Sequence, residues 1–192
     1  MIISGNVQVD DHHLSLGADL TIPSRGAPLE VRKKYESLAN AMKGVAKDGG
    51  AYKSKEVRPL ALLQLNHTGR QSPNILGGRW PFVRPLSCSS TKVSVYKTRS
   101  QIALSSSDMV KDFLTRAFNL LMFQRARSMT KVEIEGVVDA FVRASVLGAN
   151  SGFDGVELHA AHGCTLSLIY SRTHKSLSLL RPSVAVYLEK GL

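Results

Sequence analysis

Apolar residues recur at helical spacing in three stretches of the chain, and short apolar runs lie beside these stretches. Together they predict alternating helices and strands. Residues 29–48 carry apolar side chains at steps of three and four, the stripe of an amphipathic helix. Pro28 can occupy the first turn of this helix, and Gly49 with Gly50 supplies a stop. Residues 111–123 predict a second, shorter helix, rich in Phe and Leu on one side.

The clearest predicted helix begins at Thr130. Glu133 stands three residues later, which makes a capping box. Apolar positions then recur at helical spacing until residues 150–152, Asn-Ser-Gly, end the helix.

Short apolar runs flank these helices and predict strands. They are residues 60–66 and 153–159, and residues 1–9 indicate the end of a further strand that leads into a loop up to Pro28. Because strands alternate with helices, the pattern predicts an α/β fold with a parallel sheet and helical crossovers. Residues 67–110, rich in Pro, Ser, Gly and Arg and without a period, predict a long loop excursion.

Chain length limits how much of such a fold is present. The sequence has 192 residues, of which 43% are hydrophobic, as in ordinary globular domains. A complete (β/α)8 barrel typically needs about 250 residues. We therefore expect one domain that is not a whole barrel.

The charge balance is basic, at +10 from 25 Lys and Arg against 15 Asp and Glu. Nucleic-acid binding is one interpretation, but the basic residues are scattered and form no known motif, which favours solvated surface charge. The two cysteines, Cys88 and Cys164, match no metal or redox spacing and indicate free thiols in a reducing compartment. No signal peptide or membrane-spanning stretch is recognisable, so we expect a cytoplasmic protein without a membrane partner.

Polar residues at the ends of two predicted strands are the candidates for chemistry. The amide of Gln64 offers a donor and an acceptor, which suit either a heterocyclic ligand or a neighbouring backbone. His159 and His162, three residues apart, can converge on one oxygen atom and stabilise developing negative charge. From that spacing alone the favoured interpretation is not a catalytic one but either a structural histidine at a strand end or a weak zinc site, for which a third ligand is not evident.

The sequences around these residues resemble a known family. Residues 64–73, Gln-Leu-Asn-His-Thr-Gly-Arg-Gln-Ser-Pro, and residues 152–163, Gly-Phe-Asp-Gly-Val-Glu-Leu-His-Ala-Ala-His-Gly, are similar to the third and fourth strands of the Old Yellow Enzyme barrel. Residues 1–10 resemble its second strand. The resemblance implies a partial TIM (β/α)8 barrel, roughly the second to fourth β/α units, as a flavin oxidoreductase domain over residues 1–163, followed by a divergent tail over residues 164–192.

Function follows from the same resemblance as an expectation. The family is made of flavoproteins that bind FMN and pass hydride from NADPH or NADH through the flavin to an activated alkene, an enone or another acceptor. The match implies that Gln64 and His159 contact FMN, and that His159 and His162 bind the substrate's carbonyl oxygen. Cys164 occupies the position of the usual proton-donor tyrosine, so the resemblance implies that alkene reduction depends on solvent or fails.

The missing barrel strands lead to further expectations. We expect a truncated, impaired enzyme with weak or absent FMN binding by the isolated chain. The alternative is a non-catalytic barrel remnant that acts only through association with itself or a partner, as a homo-oligomer joined at open sheet edges. A nucleic-acid-binding module rests on charge alone and ranks last.

Overall fold

A parallel sheet lies at the centre of the computed structural model, which describes residues 1–15, 17–45, 58–90 and 106–166. The strands are β1 (Ile2–Ile3), β2 (Val7–Gln8), β3 (Leu20–Thr21), β4 (Ala61–Asn66), β5 (Leu86–Ser87), β6 (Arg127–Ser128) and β7 (Gly155–Leu158). The helices are α1 (Leu29–Met42), α2 (Ser106–Met122) and α3 (Lys131–Asn150), and a 3-10 turn spans Gly69–Gln71.

Strand β4 is the middle strand of this sheet. It pairs in parallel with β7 along one edge, and with β1 and then β2 along the other edge. Strand β3 extends the sheet beyond β2, while β5 and β6 form a separate parallel ladder. Across the described residues the sheet is open, not a closed barrel, which confirms the predicted α/β partial barrel.

One face of the sheet is packed against α3. Leu63 and Leu65 point into a core that they share with Phe141, Ala144 and other buried residues of that helix. Gly148 allows the helix to approach closely, because a Cβ there would lie 3.2 Å from Leu63 Cδ2. Since side chains alternate along a strand, the residues between them, such as Gln64, face the other side of the sheet and are half-buried.

Helix α3 begins as the sequence predicts. The Thr130 hydroxyl accepts from the Glu133 N–H, and the Glu133 carboxylate accepts from the Thr130 N–H, so the capping box is formed. Arg127 pairs with the same carboxylate, which lowers the pKa of Glu133 to about 2. None of the helices among the described residues has the length and apolar character needed to cross a membrane.

Several predicted boundaries are wrong. Helix α1 ends at Met42, before the predicted residue 48, because Gly44 adopts φ +68° and breaks the helical path. Helix α2 starts at Ser106, inside the stretch predicted to be loop. The predicted stop at Gly49 and Gly50 lies outside the described residues.

The two predicted loops also contain short strands. Strand β3 lies in the loop before Pro28, and β5 lies in the stretch of residues 67–110. Each is two residues long, too short to show an alternating pattern of apolar and polar positions.

Candidate functional site

Three polar residues lie together toward the carboxyl ends of the adjacent strands β4 and β7. Gln64 on β4 is the register partner of Glu157 on β7, so their side chains share a face. His159 follows β7 on the same side, as the diagonal neighbour of Gln64. No described residue hydrogen-bonds the Gln64 amide, so both its donor and its acceptor are available to a ligand.

The structure brings the two predicted imidazoles together. The ring centroids of His159 and His162 are 5.3 Å apart and the rings are tilted by 43°. The His159 N–H donates to the Leu65 carbonyl oxygen (2.9 Å), which fixes that residue to the end of the sheet. His162 has φ +56°, a left-handed conformation that turns the chain back toward His159. His159 is half-buried and His162 is exposed, so a ligand can reach the pair.

Cys164 does not share this exposure. The side chain is only 4% exposed, and burial raises the pKa of the thiol. A buried thiol with a raised pKa is a weaker acid than an ordinary cysteine, whose pKa is about 8.5. The role of Cys164 as proton donor stays a prediction, and its burial argues against that role.

Glu157 is a further candidate site residue, which the sequence motifs did not single out. Its Oε2 atom is buried and has no hydrogen-bond partner within the part of the chain that the structure describes. A buried carboxylate oxygen without a donor favours a ligand that brings one. The signal was present in the sequence, because Gly155, Glu157 and His159 alternate along one strand and must share a face.

The segment that follows the histidine pair is held by the turn after β4. Gln71 Nε2 donates to the His162 carbonyl oxygen. Thr165 is buried, its N–H donates to the His67 carbonyl oxygen (3.1 Å), and its hydroxyl is hydrogen-bonded to His67 Nδ1 (2.7 Å). Gly69 has φ +62° and lies so close to Thr165 that no other side chain fits in this tight turn.

A second polar cluster, Asp10 with His13 and His67, lies buried behind this turn. The potential ligand atoms of the three residues lie within 4.8 Å of one another, close enough to suggest a metal site. The tautomer of His13 argues against it. The Leu86 N–H donates to His13 Nε2 (3.1 Å), so Nε2 carries no proton and Nδ1 must donate to Asp10 Oδ2 (2.7 Å). If Nδ1 of a neutral His13 bound a metal, the proton would have to sit on Nε2. It would then face the Leu86 N–H, which is also a donor.

The electrostatics of this cluster agree with a neutral His13 beside a charged carboxylate. Burial lowers the pKa of His13, and the bond to Asp10 only partly opposes that effect. Burial alone would raise the pKa of Asp10, but hydrogen bonding from His13 and the nearby His67 outweighs it and lowers the pKa. Asp10 is therefore ionised at neutral pH and acts as an internal acceptor.

Comparisons with known proteins identify the family and the fold. A model of the NADH:flavin oxidoreductase / NADH oxidase family matches residues 55–173. The NADH-dependent flavin oxidoreductase iccE of Talaromyces variabilis is 32% identical over 171 residues, which are 89% of this chain and 35% of that protein. The NADH-dependent flavin oxidoreductase iliE of Neonectria sp. (strain DH2) is 31% identical over 89% of this chain and 19% of its own length. The chain thus spans about a third or less of these curated relatives.

Solved structures show the same fold. The old yellow enzyme homologue from Zymomonas mobilis superposes with a TM-score of 0.56 at 19% identity, over 87% of this chain and 37% of that chain. Morphinone reductase in complex with tetrahydroNAD superposes with a TM-score of 0.58 at 19% identity, over 88% and 39% of the two chains. The family match covers more than half of the chain, which therefore belongs to the NADH:flavin oxidoreductase / NADH oxidase family.

Proposed function

We propose that this chain carries part of the active site of an FMN-dependent NAD(P)H oxidoreductase. The observation that supports this most is the convergence of His159 and His162 beside Gln64, at the carboxyl ends of adjacent parallel strands. In barrel enzymes this end of the sheet is where catalytic residues lie. The relatives are named as NADH-dependent, which favours NADH over NADPH as the reductant.

The residues present fit the edge of a flavin ring. A flavin pyrimidine edge alternates hydrogen-bond donors and acceptors, and the Gln64 amide offers one of each. The unpartnered Oε2 of Glu157, on the same face, can accept from a ring N–H. When bound, FMN supplies hydride transfer between a nicotinamide and a second acceptor. Gln64 and His159 would hold its ring, with Glu157 as an additional contact.

The histidine pair provides the substrate site in this proposal. Two imidazole N–H groups directed at one point bind a carbonyl oxygen and stabilise the negative charge that develops there when hydride adds to a conjugated carbon. Such a pair selects activated alkenes, enones in particular, and also binds phenolate oxygens. Because Cys164 is buried, we assign the accompanying proton to solvent.

Ligand binding by the full chain tests the role of the histidine pair. We expect 4-nitrophenol to shift the ring NMR signals of His159 and His162 in a saturable way. The variant that combines His159→Ala and His162→Ala should lose saturable binding. His12→Ala is the matched control, because it removes an exposed histidine outside the pair. Equal phenol binding by the double variant would refute the role of the pair.

Flavin binding tests the cofactor assignment separately. Titration of FMN, followed by quenching of its fluorescence, should show weak binding that Gln64→Leu lowers further. Gln124→Leu, which removes a half-buried glutamine after α2, should leave it unchanged. An equal affinity in wild type and Gln64→Leu contradicts the role of Gln64. Flavin absorbance that remains after desalting would contradict the expected weak binding of FMN, and it would support the proposed FMN-dependent function.

A second candidate function, association through the sheet edges, is favoured by the strand pairing. Among the described residues β7 pairs with β4 alone and β3 pairs with β2 alone, so each has one unpaired edge. The apolar side chains of Ile2 and Ile3 on β1 and of Leu20 on β3 are exposed. Light scattering after size exclusion distinguishes a monomer from an oligomer, and a strictly monomeric chain at high concentration would exclude this candidate.

A further inference from the structure

The loop that carries His162 has two different kinds of support at its two ends. At its start, His159 is joined to the sheet through its N–H bond to Leu65. At its end, the chain is held by the turn after β4, through Gln71 and through Thr165. Ala160 and Ala161 between these ends are exposed. The distance between the two imidazoles therefore depends on contacts made at both ends.

The conformation of His162 is one that the chain does not prefer. A left-handed φ is unfavourable for a non-glycine residue, and such residues persist only where surrounding contacts determine them. The Gln71 amide donates to the carbonyl oxygen of this same residue. This bond restrains the backbone of the residue whose imidazole lies next to His159.

The second contact is anchored in a buried part of the turn. His67 is 1% exposed, stacks on His13 with ring centroids 4.9 Å apart, and has Nε2 at 3.6 Å from Asp10 Oδ2. Its Nδ1 bond to the Thr165 hydroxyl thus ties the loop to a buried cluster with a fixed geometry. The Thr165 N–H bond to the His67 carbonyl oxygen restricts the same residue further.

We propose that Gln71 and Thr165 are positioning residues, which hold the 162–165 segment so that the imidazoles of His159 and His162 face a common point. Neither residue needs to touch the ligand. The expected effect on the binding of an oxygen atom rests on the proposed function. The arrangement of the two rings can be measured without any ligand.

Conservative variants separate the hydrogen bonds from side-chain size. Gln71→Met keeps the length of the side chain and removes the donor. Thr165→Val keeps the shape and removes the hydroxyl, whereas Thr165→Ser keeps the hydroxyl and serves as the matched control. Methyl NMR signals of core residues Leu63 and Ala144 report whether each variant is folded.

The primary measurement is the nuclear Overhauser effect between the rings of His159 and His162. We expect it in wild type and in Thr165→Ser, and we expect it to be lost or strongly reduced in Gln71→Met and Thr165→Val. The affinity for 4-nitrophenol should fall about tenfold in the last two variants, the loss of one positioning bond. If Thr165→Val does not fold, Gln71→Met, at a half-buried position, decides the matter alone.

An unchanged inter-ring effect in Gln71→Met and in a folded Thr165→Val would overturn the proposal. Loss of the effect in Thr165→Ser as well would also overturn it, because the hydroxyl would then not be the relevant group. If the inter-ring effect responds as expected but wild type binds no phenol, the positioning role is supported and the proposed function fails.

Discussion

Two histidine pairs in this chain have similar ring separations in opposite surroundings. His13 and His67 stack with centroids 4.9 Å apart and are 5% and 1% exposed. His159 and His162 lie 5.3 Å apart, one half-buried and one exposed. Ring separation alone therefore does not distinguish a structural pair from a binding pair.

Hydrogen-bond partners make the distinction. Both nitrogens of His13 have hydrogen-bond partners, and His67 Nδ1 is bonded to Thr165. His67 Nε2 makes no hydrogen bond among the described residues, but it is buried 3.6 Å from Asp10 Oδ2, where no ligand reaches it. The rings of His159 and His162 make no hydrogen bond to any residue in the described ranges. Buried polar groups are almost always paired within the protein, whereas a reachable nitrogen without a partner can bind a ligand. The comparison supports a structural role for the first pair and the proposed binding role for the second.

Removal of the carboxylate behind the buried pair should have the largest effect. Asp10→Ala leaves the buried Nδ1–H of His13 without an acceptor and removes the negative charge near His67. We expect the free energy of unfolding to fall by about 2–3 kcal/mol in urea denaturation. Asp11→Ala is the control, because that carboxylate pairs with exposed His12 and should contribute less than about 1 kcal/mol. Equal losses in the two variants would contradict the structural role of the buried cluster.

The pH dependence of stability gives a second, smaller effect. Burial lowers the pKa of His13 in the folded chain below the unfolded value of about 6.5. Below that pH the unfolded chain binds a proton that the folded chain does not, so stability must fall as pH decreases through 6.5. One such proton changes stability by at most about 1.4 kcal/mol per pH unit. The depressed pKa of Asp10 adds a further loss only below about pH 4.

His13→Gln should remove part of this dependence. Urea unfolding of wild type and variant at pH 7 and pH 5 should show that wild type loses more stability than the variant. Val137→Ala is the control, because it weakens the core without removing a titrating group and should keep the slope of wild type. A variant slope equal to that of wild type would mean that His13 is not held neutral by burial.

The sequence predicts those parts of the fold that depend on local pattern. The capping box of α3 and the apolar run of β4 are recognisable because their signals lie within a few neighbouring residues. The end of α1 is not, since Val45 continues the apolar spacing although Gly44 has already left the helix. Strands of two residues, such as β1 and β3, carry too few positions to show an alternating pattern.

The candidate site divides in the same way, into residues that a local pattern indicates and contacts that it does not. The family resemblance names Gln64, His159 and His162, and strand alternation could have added Glu157. The contact of His67 with Thr165 joins residues 98 positions apart, and no local pattern encodes such a pairing. The tautomer of His13 likewise depends on the N–H of Leu86, 73 positions away. Long-range contacts of this kind decide which histidines are free, and only the folded chain shows them.

The smallest effect concerns strain within the exposed pair. Glycine adopts the left-handed region without the penalty that His162 meets at φ +56°. His162→Gly and His162→Ala both remove the imidazole, so their difference isolates the backbone term. The strain should favour glycine by about 1 kcal/mol, partly offset by the greater freedom of glycine in the unfolded chain. We expect urea denaturation to find His162→Gly at least as stable as His162→Ala.

At exposed Ala161, which has no positive φ, Ala161→Gly should lower stability. Suppose instead that His162→Gly is less stable than His162→Ala by as much as Ala161→Gly is less stable than wild type. The left-handed conformation at position 162 would then carry no strain. The exposed pair would then differ from the buried pair only in its partners.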